Sequence, residues 1–558
     1  MESRPWHRHY DPWVPTTMRY PRIKIQDFLN SAANIAPDKP ALDFYGSRLT
    51  FREVRRQSLR MANALASLGI NKGDRIALHL PNCPQYVIAY YAALNLGAIV
   101  VNVNPLYTLP ELKHVLELTD PRALFTFDLV LGNVRKLGLE RGTTHVVVTR
   151  VTDYIEVMPK STPAELDLED GWHHFSQLLD SSSDVRVPRV EILSEDPAVI
   201  MFTGGTTGTP KGAVLTHANY VAANFQLAAW GGNVAPLIMP AQQRVVVSVM
   251  PFFHVYGQIC CLNWSMTNFG MMILVPRFDI DEFLGLMANF KEITWFPAVP
   301  TLLIAVVNHP KAAEIELDAL IQIVNSGAAP MPVELIGRVQ DLGVTYTEGW
   351  GMTETTSLGV GNPLAGMKKT GSIGIPFIDV DVRLVDVDKG VEEVAPGESG
   401  ELIIKSPCVM KEYWNNPKET ADHIKDGWLH TGDIAVQDEE GYLLIVDRKK
   451  DMIIAGGYNI FPREIDEVLY QHPKVRDAVA VGVADEYRGE TVKAFVVLKD
   501  GETATEEEII SFCRESLAAY KAPKIVEFRK ELPRSAVGKI LRKVLREEEL
   551  AKKKVEKP

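Results

Sequence analysis

The sequence reads Thr203-Gly204-Gly205-Thr206-Thr207-Gly208-Thr209-Pro210-Lys211-Gly212 directly after the apolar run at residues 198–202. Glycines let the backbone approach a polyanion and turn its N–H groups toward it, while the hydroxyls and Lys211 add donors and positive charge. The spacing differs from the P-loop of nucleoside triphosphatases and from the dinucleotide fingerprint G-x-G-x-x-G. We therefore expect a phosphate-binding loop between a buried strand and a helix that starts near Leu215-Thr216-His217-Ala218. A flexible linker is the alternative, but a linker seldom occupies such a place.

Short apolar runs alternate with longer helical patterns on both sides of this loop, through about the first 350 residues. A parallel α/β architecture requires this alternation, because each strand returns through a helical crossover. Several runs are apolar almost throughout, so we expect strands that are buried on both faces. An amphipathic helix is predicted at 51–68. The predicted strands are 75–80, 98–103, 145–149, 198–202, 245–249, 271–275 and 321–325.

The pattern changes near Gly371, where short alternating segments are separated by glycine and proline, as in a small antiparallel sheet or barrel. A charged run at 447–451 then precedes a second α/β pattern. We place a domain boundary there. Residues 1–450 are predicted to form a large α/β body, with a barrel-like subdomain at 370–450, and residues 451–558 a smaller, mobile α+β domain. The charged tail from Arg542 is predicted to be a solvated helix end that frays.

The composition excludes several classes of protein. The 558 residues carry 59 Lys and Arg against 71 Asp and Glu, a net charge of −12, and 46% of them are hydrophobic. This acidic balance argues against general affinity for nucleic acid or an anionic membrane, because both attract basic surfaces. No window offers about 18 consecutive apolar residues for a membrane span, and the N-terminus lacks the apolar stretch of a secretory signal.

The cysteines and the first residues complete this picture. Five cysteines lack any C-x-x-C spacing, so no disulfide framework or zinc knuckle is indicated and a reducing, cytoplasmic location is expected. The aromatic start, with Trp6, Tyr10 and Trp13, is interpreted as a strap that lies on the body rather than as a targeting signal.

The loop at residues 203–212 resembles the phosphate loop of the adenylate-forming enzymes, a family that includes acyl-CoA synthetases, luciferases and the adenylation domains of peptide synthetases. Four further segments resemble motifs of this family and follow its order along the chain. The resemblance covers nearly the whole chain and is greatest toward long-chain fatty acyl-CoA ligases. The segments are Asn325-Ser326-Gly327-Ala328-Ala329-Pro330, Glu348-Gly349-Trp350-Gly351-Met352-Thr353-Glu354, Asp426-Gly427-Trp428-Leu429-His430-Thr431-Gly432-Asp433 with Asp447-Arg448-Lys449-Lys450, and Leu532-Pro533-Arg534-Ser535-Ala536-Val537-Gly538-Lys539-Ile540.

The resemblance implies a two-step reaction with ATP, coenzyme A and a fatty acid as substrates. A carboxylate first attacks the α-phosphorus of ATP and releases pyrophosphate, and the CoA thiolate then attacks the acyl-adenylate and releases AMP. Cations and donors must neutralise the anions that meet in the first step. By resemblance, the nucleotide contacts come from Thr203, Gly204, Gly205, Thr206, Thr207, Gly208, Lys211, Gly327, Ala328, Ala329, Glu348, Gly349 and Trp350.

The resemblance also implies roles for individual side chains near the reacting atoms. Lys539 would bridge the carboxylate and the α-phosphate, and Thr353 would donate a hydrogen bond to that phosphate. Mg²⁺ would be held through Glu354 and the hydroxyl of Thr203. Taken singly, residues of these types are most often ordinary surface or turn residues. Their order along one chain is what favours the functional roles.

The residues around the predicted boundary would contact the ribose and allow the change between the two steps. Asp433 would accept both ribose hydroxyls, a task that suits a carboxylate, and Arg448 would add a second ribose contact. Lys450 stands at the family's hinge position, so a rotation of the C-terminal domain could present Lys539 and Gly457 alternately. Gly457 would line the pantetheine tunnel, where the absence of a Cβ leaves room for a narrow thiol arm.

The acyl pocket is expected next to residues 251–258. By resemblance, His254 borders the substrate carboxylate, but His254 could equally cap a helix or pack against the core. The expected walls of an aliphatic tunnel are Gly257, Ile259, Cys260, Cys261 and Gly349.

Three positions depart from the family pattern. Trp350 replaces a frequent tyrosine and could narrow the site, whereas Ser535 replaces a threonine but keeps its hydroxyl. Gln258 stands where some long-chain enzymes place a gating tryptophan, which argues against gating by that route.

The sequence therefore predicts an ATP- and Mg²⁺-dependent acid–CoA ligase for medium- to long-chain fatty acids. Two enzymatic alternatives stay open: an aryl-CoA or other acid–CoA ligase, and an acyl-AMP ligase with a different acceptor. A non-catalytic sensor of nucleotide or acyl groups is disfavoured by the joint presence of Lys539, Glu354 and Asp433. No nucleic acid partner and no transmembrane segment are expected, whereas peripheral membrane contact and a homodimer are left open.

Overall fold

The computed structural model describes residues 4–139, 144–155, 166–183, 189–203, 210–232, 242–313, 315, 320–329, 331, 333–387, 389–455, 458–485, 488–535 and 538–556. The helices are α1 (Gln26–Ile35), α2 (Phe51–Ser67), α3 (Pro84–Asn95), α4 (Leu109–Thr119), α5 (Leu131–Arg135), α6 (Phe175–Asp180), α7 (His217–Trp230), α8 (Val255–Gly257), α9 (Trp264–Thr267), α10 (Ile280–Met287), α11 (Pro300–Asn308), α12 (Val333–Gln340), α13 (Pro417–His423), α14 (Pro462–Tyr470), α15 (Glu506–Ser516) and α16 (Arg542–Glu556).

The strands of the first half are β1 (Pro40–Phe44), β2 (Ser47–Thr50), β3 (Arg75–Leu78), β4 (Ile99–Asn102), β5 (Ala123–Phe127), β6 (His145–Thr149), β7 (His173–His174), β8 (Pro197–Phe202), β9 (Gly212–Thr216), β10 (Val245–Ser248) and β11 (Met271–Leu274). Those of the second half are β12 (Ile293–Ala298), β13 (Ile321–Ser326), β14 (Thr345–Trp350), β15 (Val360–Gly361), β16 (Ile375–Pro376), β17 (Asp381–Val385), β18 (Gly400–Lys405), β19 (Glu412–Tyr413), β20 (Ile424–Lys425), β21 (Trp428–Gln437), β22 (Leu443–Arg448), β23 (Ile453–Ala455), β24 (Tyr458–Ile460), β25 (Val475–Asp485), β26 (Gly489–Leu498) and β27 (Ile525–Phe528).

Two large, mostly parallel sheets carry the first part of the chain. Nine strands form one sheet in the order β16-β15-β14-β13-β12-β10-β11-β1-β2, and eight form the other in the order β19-β9-β8-β4-β3-β5-β6-β7. Strands such as β4 and β5 are buried at every residue, because helices cover both faces of a parallel sheet. The seven predicted strands are confirmed, with ends that differ by one or two residues, and so is the amphipathic helix α2.

The connection after β8 differs from the prediction. Strand β9 pairs antiparallel with β8, with Phe202 opposite Gly212, so the glycine- and threonine-rich loop joins two strands of a hairpin. Helix α7 begins only at His217, and Thr216 caps it by accepting from the backbone N–H of Asn219 at 3.1 Å. The helix start lies within the predicted stretch of residues 215–218. The prediction lacked strand β9, because residues 212–216 are apolar enough to form a fully buried strand before the helix.

Two smaller sheets follow. Five antiparallel strands, β17, β18, β20, β21 and β22, form the small sheet that the glycine- and proline-rich region predicted. Strands β23 to β27 form another sheet, and their apolar side chains build a separate core with helices α14 and α15. The change from one sheet to the next falls between Arg448 and Ile453, the region in which the sequence places the domain boundary.

The last helix, α16, was expected to be solvated, and this is wrong for its first turns. Leu545 is fully buried, and the guanidinium of Arg542 pairs with the buried carboxylate of Asp466. Burial raises the pKa of Asp466 to about 7 despite the charge of Arg542. The first turns of the helix are therefore part of the C-terminal packing. The prediction failed because a run of charged residues does not show which of them forms an internal ion pair.

The N-terminal segment lies on the body, as the strap interpretation predicts. Trp6 is buried in the core, and the hydroxyl of Tyr10 donates to the carbonyl of Pro376 at 2.9 Å. The buried carboxylate of Asp11 accepts hydrogen bonds from three consecutive backbone N–H groups, those of residues 364 to 366, at 2.6–3.2 Å. These contacts join the first residues of the chain to a loop more than 350 positions later.

Two further observations concern the whole described chain. All five cysteines are buried free thiols. None of the described helices has the length and apolar character that crossing a membrane requires.

We expect Asp11→Ala to destabilise the protein, because three backbone N–H donors lose a charged acceptor that is itself buried. The loss in unfolding free energy should be about 2–4 kcal/mol, measured by urea unfolding. Asp38→Ala removes a carboxylate whose side chain is 82% exposed and should change stability by less than about 0.5 kcal/mol. Equal effects of the two substitutions would contradict a structural role for the strap.

Candidate active site

Strands β21 and β22 bring Asp433 and Arg448 together. The two residues are register partners in an antiparallel pair, so their side chains project from the same face. The Nε of Arg448 lies 3.1 Å from Oδ1 of Asp433, and the indole Nε1 of Trp350 donates to Oδ2 at 2.8 Å. Asp433 is buried, yet each of its oxygens keeps a second lone pair. The carboxylate can therefore still accept hydrogen bonds from a ligand hydroxyl.

The indole contact gives a structural reason for the departure at Trp350. A Cβ at Gly359 would lie 2.6 Å from Cζ3 of the indole, so a glycine beneath the ring makes room for it. Trp350 then acts as a hydrogen-bond donor that orients Asp433. A tyrosine at this position would place its hydroxyl donor at a different distance from the carboxylate of Asp433.

Lys539 enters the same site from the C-terminal part of the chain. Gly538 has φ +72°, and a Cβ there would overlap Oγ1 of Thr301, so the loop packs closely on helix α11. The hydroxyl of Ser535 accepts from the backbone N–H of Lys539 at 3.2 Å, which gives the retained hydroxyl a structural task. Gly538 thus satisfies two constraints at once, the left-handed backbone and the close approach.

The charged residues that act on Lys539 show that it lies near Arg448 and Asp433. Burial, and then the positive charge of Arg448, lower the pKa of Lys539 to about 7, while Asp433 acts in the opposite direction. Partial burial and Arg448 also lower the pKa of Lys450 to about 8. The site therefore gathers cations that the protein leaves incompletely neutralised. Such a site favours an anionic ligand.

His254 lies on the loop that follows β10. The amide of Asn82 holds this loop, since it donates to the carbonyls of Ser248 and Met250 and accepts from the N–H of Phe252, all at 2.8–2.9 Å. The Nδ1 of His254 accepts from the backbone N–H of residue 256 at 3.2 Å, so the capping interpretation is confirmed.

The ring of His254 also belongs to the site. Burial, and then the charge of Lys539, lower its pKa to about 4, so the imidazole is neutral near pH 7. Because Nδ1 accepts a hydrogen bond, the proton is assigned to Nε2. His254 can therefore donate one hydrogen bond while it caps the turn.

A second cluster surrounds Glu354. This buried residue follows Thr353, also buried, in a short 3₁₀ turn, and its Oε1 accepts from the hydroxyl of Tyr413 at 2.7 Å. The Nζ of Lys211 lies 5.4 Å from the centroid of the Tyr413 ring and forms an ion pair with Glu419. Tyr413 therefore connects the carboxylate of Glu354 with the lysine of the phosphate loop.

Tyr413 and Glu419 were missed by the reasoning from sequence. The run Asn416-Pro417, which caps and starts helix α13, is a recognisable helix start, and it could have drawn attention to this segment. Nothing in the sequence, however, indicates that the helix would reach Lys211, because 208 positions separate the two paired residues.

The oxygen donors near Glu354 fit a magnesium ion. Within the described ranges, no group of three His, Cys, Asp or Glu residues could hold a metal on its own. Mg²⁺, however, commonly takes one or two carboxylates together with phosphate oxygens of a substrate. Glu354 and the hydroxyl of Thr203 are hard oxygen ligands of this kind. The backbone N–H of Thr203 donates to the carbonyl of Lys211 at 2.9 Å, at the base of the phosphate loop.

The segment after β13 forms another wall of the site. Ala328 has φ +66°, which turns the chain sharply between Gly327 and Ala329. Tyr256 connects this segment with the His254 loop, because its hydroxyl lies 2.7 Å from Oδ1 of Asn325. The ring of Tyr256 also faces Gly327, where a Cβ would lie 3.4 Å from it.

A cavity that is partly open to solvent adjoins this segment. Burial raises the pKa of Glu348, one of its lining residues, to about 7. The other lining residues are mostly apolar and include three tryptophans. The described lining comprises Leu227, Trp230, Gly231, Arg244, Trp264, Thr294, Trp295, Ile323, Asn325, Thr347, Glu348, Gly349, Gly361, Asn362, Leu364 and Phe377.

One of the five expected tunnel walls lines this cavity. Gly349 lines the cavity, but Gly257, Ile259, Cys260 and Cys261 are not among its described lining residues. A Cβ at Gly257 would overlap the carbonyl oxygen of Pro251, so this helix packs tightly against the loop that follows β10. Gln258 is fully buried and bonded to the hydroxyls of two tyrosines.

The structure thus brings Lys539, Asp433, Arg448, Lys450 and His254 into one electrostatic environment, and Lys211, Thr353 and Glu354 into a neighbouring cluster. The charge of Glu354 also acts on Lys450, which relates the two groups. The predicted residues Gly204, Gly205, Thr206, Thr207, Gly208 and Gly457 lie outside the described residues.

Comparison with known proteins gives consistent results. The family model described as AMP-binding enzyme matches residues 29–414, and the one described as AMP-binding enzyme C-terminal domain matches residues 464–539. A long-chain-fatty-acid–CoA ligase of Bacillus subtilis (strain 168) is 42% identical over 98% of this chain and 98% of its own. A feruloyl-CoA synthase of Amycolatopsis sp is 33% identical over 91% of this chain and 96% of its own.

Solved structures agree. An anthranilate CoA ligase in complex with anthranoyl-AMP has a TM-score of 0.84 and 26% identity, covering 97% of this chain and 99% of its own.

We expect the amine of Lys539 to be reactive near neutral pH. Only a neutral amine acylates, so its modification by a short pulse of acetic anhydride should rise with pH through a midpoint near 7. Ordinary exposed lysines titrate near ~10.4. Quantifying the modified peptides by mass spectrometry between pH 5.5 and 10.5 tests this. A midpoint near that of the exposed lysines would contradict the lowered pKa.

Proposed function

Because this chain belongs to the AMP-binding enzyme family, we propose that it uses ATP to join a long-chain fatty acid to coenzyme A, releasing AMP and pyrophosphate. The observation that supports this most is the meeting of Lys539 with Asp433, Arg448 and His254, since it combines a cation for the reacting anions with a carboxylate for the nucleotide sugar.

In the first step, an oxygen of the fatty acid carboxylate bonds to the α-phosphorus of ATP while the bond to pyrophosphate breaks. Two anions meet, so the ammonium of Lys539 is proposed to lie between them. Its pKa of about 7 rises once anions surround it, because an opposite charge favours the protonated form. Thr353 would donate to the α-phosphate, and the Nε2–H of His254 would donate to the carboxylate.

The nucleotide is proposed to be held by residues on both sides of the site. Asp433, oriented by Trp350 and Arg448, would accept from the ribose hydroxyls. Gly327, Ala328, Ala329, Glu348 and Gly349 would border the adenine, and the loop from Thr203 to Lys211 would grip the phosphates. When bound through Glu354 and Thr203, Mg²⁺ would withdraw negative charge from the phosphates.

The second step requires different groups at the same place. The thiolate of coenzyme A would attack the acyl carbonyl, and AMP would leave with the electron pair of the broken bond. We propose that the domain of residues 451–558 turns on the body about Lys450, carrying Lys539 out and Gly457 in. The described arrangement, with Gly538 packed on Thr301, corresponds to the first step.

The cavity supports the proposal that the acid substrate is apolar. Its lining includes seven aliphatic or aromatic side chains, three of them tryptophans, as pockets for apolar ligands do. The cytoplasm is the proposed location, and peripheral membrane contact and a homodimer stay open, as in the prediction from the sequence.

A panel of acids from acetate to oleate, extended with ferulate, tests the substrate class. With ATP, Mg²⁺ and coenzyme A, long-chain acids should give the highest kcat/KM for both AMP release and thioester formation. Preference for ferulate would indicate an aryl-CoA ligase instead, and AMP release without thioester would indicate a different acceptor. Neither product with any acid would reject the proposed function.

Lys539→Ala should separate the two steps. Adenylation, followed by pyrophosphate release, should fall by at least about 10²–10³-fold, because the reacting anions lose their cation. Thioester formation from supplied oleoyl-adenylate and coenzyme A should stay within about threefold of wild type. Lys530→Ala, at an exposed position of the same C-terminal part, serves as the matched control. Equal loss of both steps would reject the assigned role.

A further inference from the structure

Helix α13 places a carboxylate against the lysine of the phosphate loop. Oε1 of Glu419 and Nζ of Lys211 form an ion pair, and their side chains are 25% and 29% exposed. A partly buried pair of this kind is screened less by salt than a pair at the open surface. The fold alone brings the two together, since 208 positions separate them.

The segment that carries Glu419 is fastened to the strand that follows Lys211. Strand β19 pairs antiparallel with β9, with Tyr413 opposite Ala213, and the N–H of Trp414 donates to the carbonyl of Gly212 at 2.7 Å. The carboxylate is therefore held at a fixed place relative to the end of the phosphate loop.

The helix start adds a second constraint on Glu419. The side chain of Asn416 caps the helix by accepting from the N–H of Glu419 at 3.2 Å, and Pro417 occupies the first turn. The hydrogen bond that Lys211 donates, together with the positive charge of Lys211, lowers the pKa of Glu419, so the carboxylate is ionised at neutral pH.

The ring of Tyr413 completes the arrangement. Nζ of Lys211 lies over its face at 5.4 Å, while its hydroxyl donates to Oε1 of Glu354 at 2.7 Å. Tyr413 thus contacts both the ammonium that would bind the phosphates and the carboxylate that would hold Mg²⁺. Glu419 forms its ion pair with this same ammonium.

We propose that Glu419 is a positioning residue for the triphosphate of ATP, which orients the ammonium of Lys211 before the nucleotide binds. This inference rests on the proposed function. A lysine ammonium has three donors, so one can remain with Glu419 while others reach phosphate oxygens. Protein kinases use a lysine–glutamate pair in the same way to hold a phosphate-binding lysine.

Glu419 could instead hinder ATP binding, and its removal would then change the affinity for ATP in the opposite direction. A carboxylate beside the phosphates also repels them, and if Glu419 only competed for Lys211, its removal would tighten ATP binding. If Glu419 orients Lys211, its removal weakens ATP binding, because the flexible lysine stem must be ordered by the nucleotide itself. The Michaelis constant for ATP therefore distinguishes the two.

The test uses the full chain with saturating fatty acid and measures pyrophosphate release. Glu419→Ala should raise KM for ATP by about tenfold, on the order expected when one long side chain loses its preorganisation, with kcat within about threefold. Glu419→Asp retains the carboxylate and should recover most of this loss. Asp422→Asn, an exposed carboxylate on the same helix, is the matched control and should leave KM unchanged.

A double-mutant cycle with Lys211→Ala shows whether Glu419 acts through Lys211. In the Lys211→Ala background, Glu419→Ala should add no further increase in KM. An unchanged or lower KM in Glu419→Ala, or an additive increase in the double variant, would overturn the inference. If Glu419→Ala does not fold, Glu419→Gln takes its place in the cycle. A wild-type chain without ATP-dependent pyrophosphate release would reject the proposed function instead.

Discussion

The proposed chemistry depends on a group of cations that the protein holds in a partly desolvated place without full compensation. Burial and the charge of Arg448 lower the pKa of Lys539 to about 7, and the pKa of Lys450 falls to about 8 for similar reasons. Asp433 opposes this effect only in part. Folding therefore works against the protonated forms, and a bound polyanion would favour them. An overall charge of −12 is compatible with this, because the positive charge is local.

The large sheets and the small ones supply different parts of this environment. Strand β14 brings Trp350, and the β21–β22 pair brings Asp433 and Arg448, from separate sheets. The loop of Lys539 reaches them from the C-terminal part and packs on helix α11 through Gly538. Segment β19–α13 connects the phosphate-loop lysine with Glu354. No sheet holds the described site alone, so its geometry depends on how the sheets pack.

Reasoning from sequence was accurate where the pattern is local. Strands buried on both faces read as short apolar runs, and β6 has the bounds that were expected. It failed where tertiary context outweighed the pattern. Strand β9 was not separated from helix α7, because an apolar run of five residues fits either element. The first turns of α16 were expected in solvent, because a charge run does not reveal that Arg542 has an internal partner.

The sequence by itself determined which chemical groups the chain possesses and where the backbone must turn. Five motifs in the family's order, among them those that carry Lys211, Glu354, Asp433 and Lys539, were sufficient to identify the resemblance to the family, and the resemblance implied its reaction. The tertiary structure alone decided which side chains touch. The contact of Trp350 with Asp433, the pair of Lys211 with Glu419, and the walls of the apolar cavity could not be read from the sequence. The physical reason is that helix and strand periodicities act over a few residues, whereas contacts between distant segments depend on the packing and register of whole sheets.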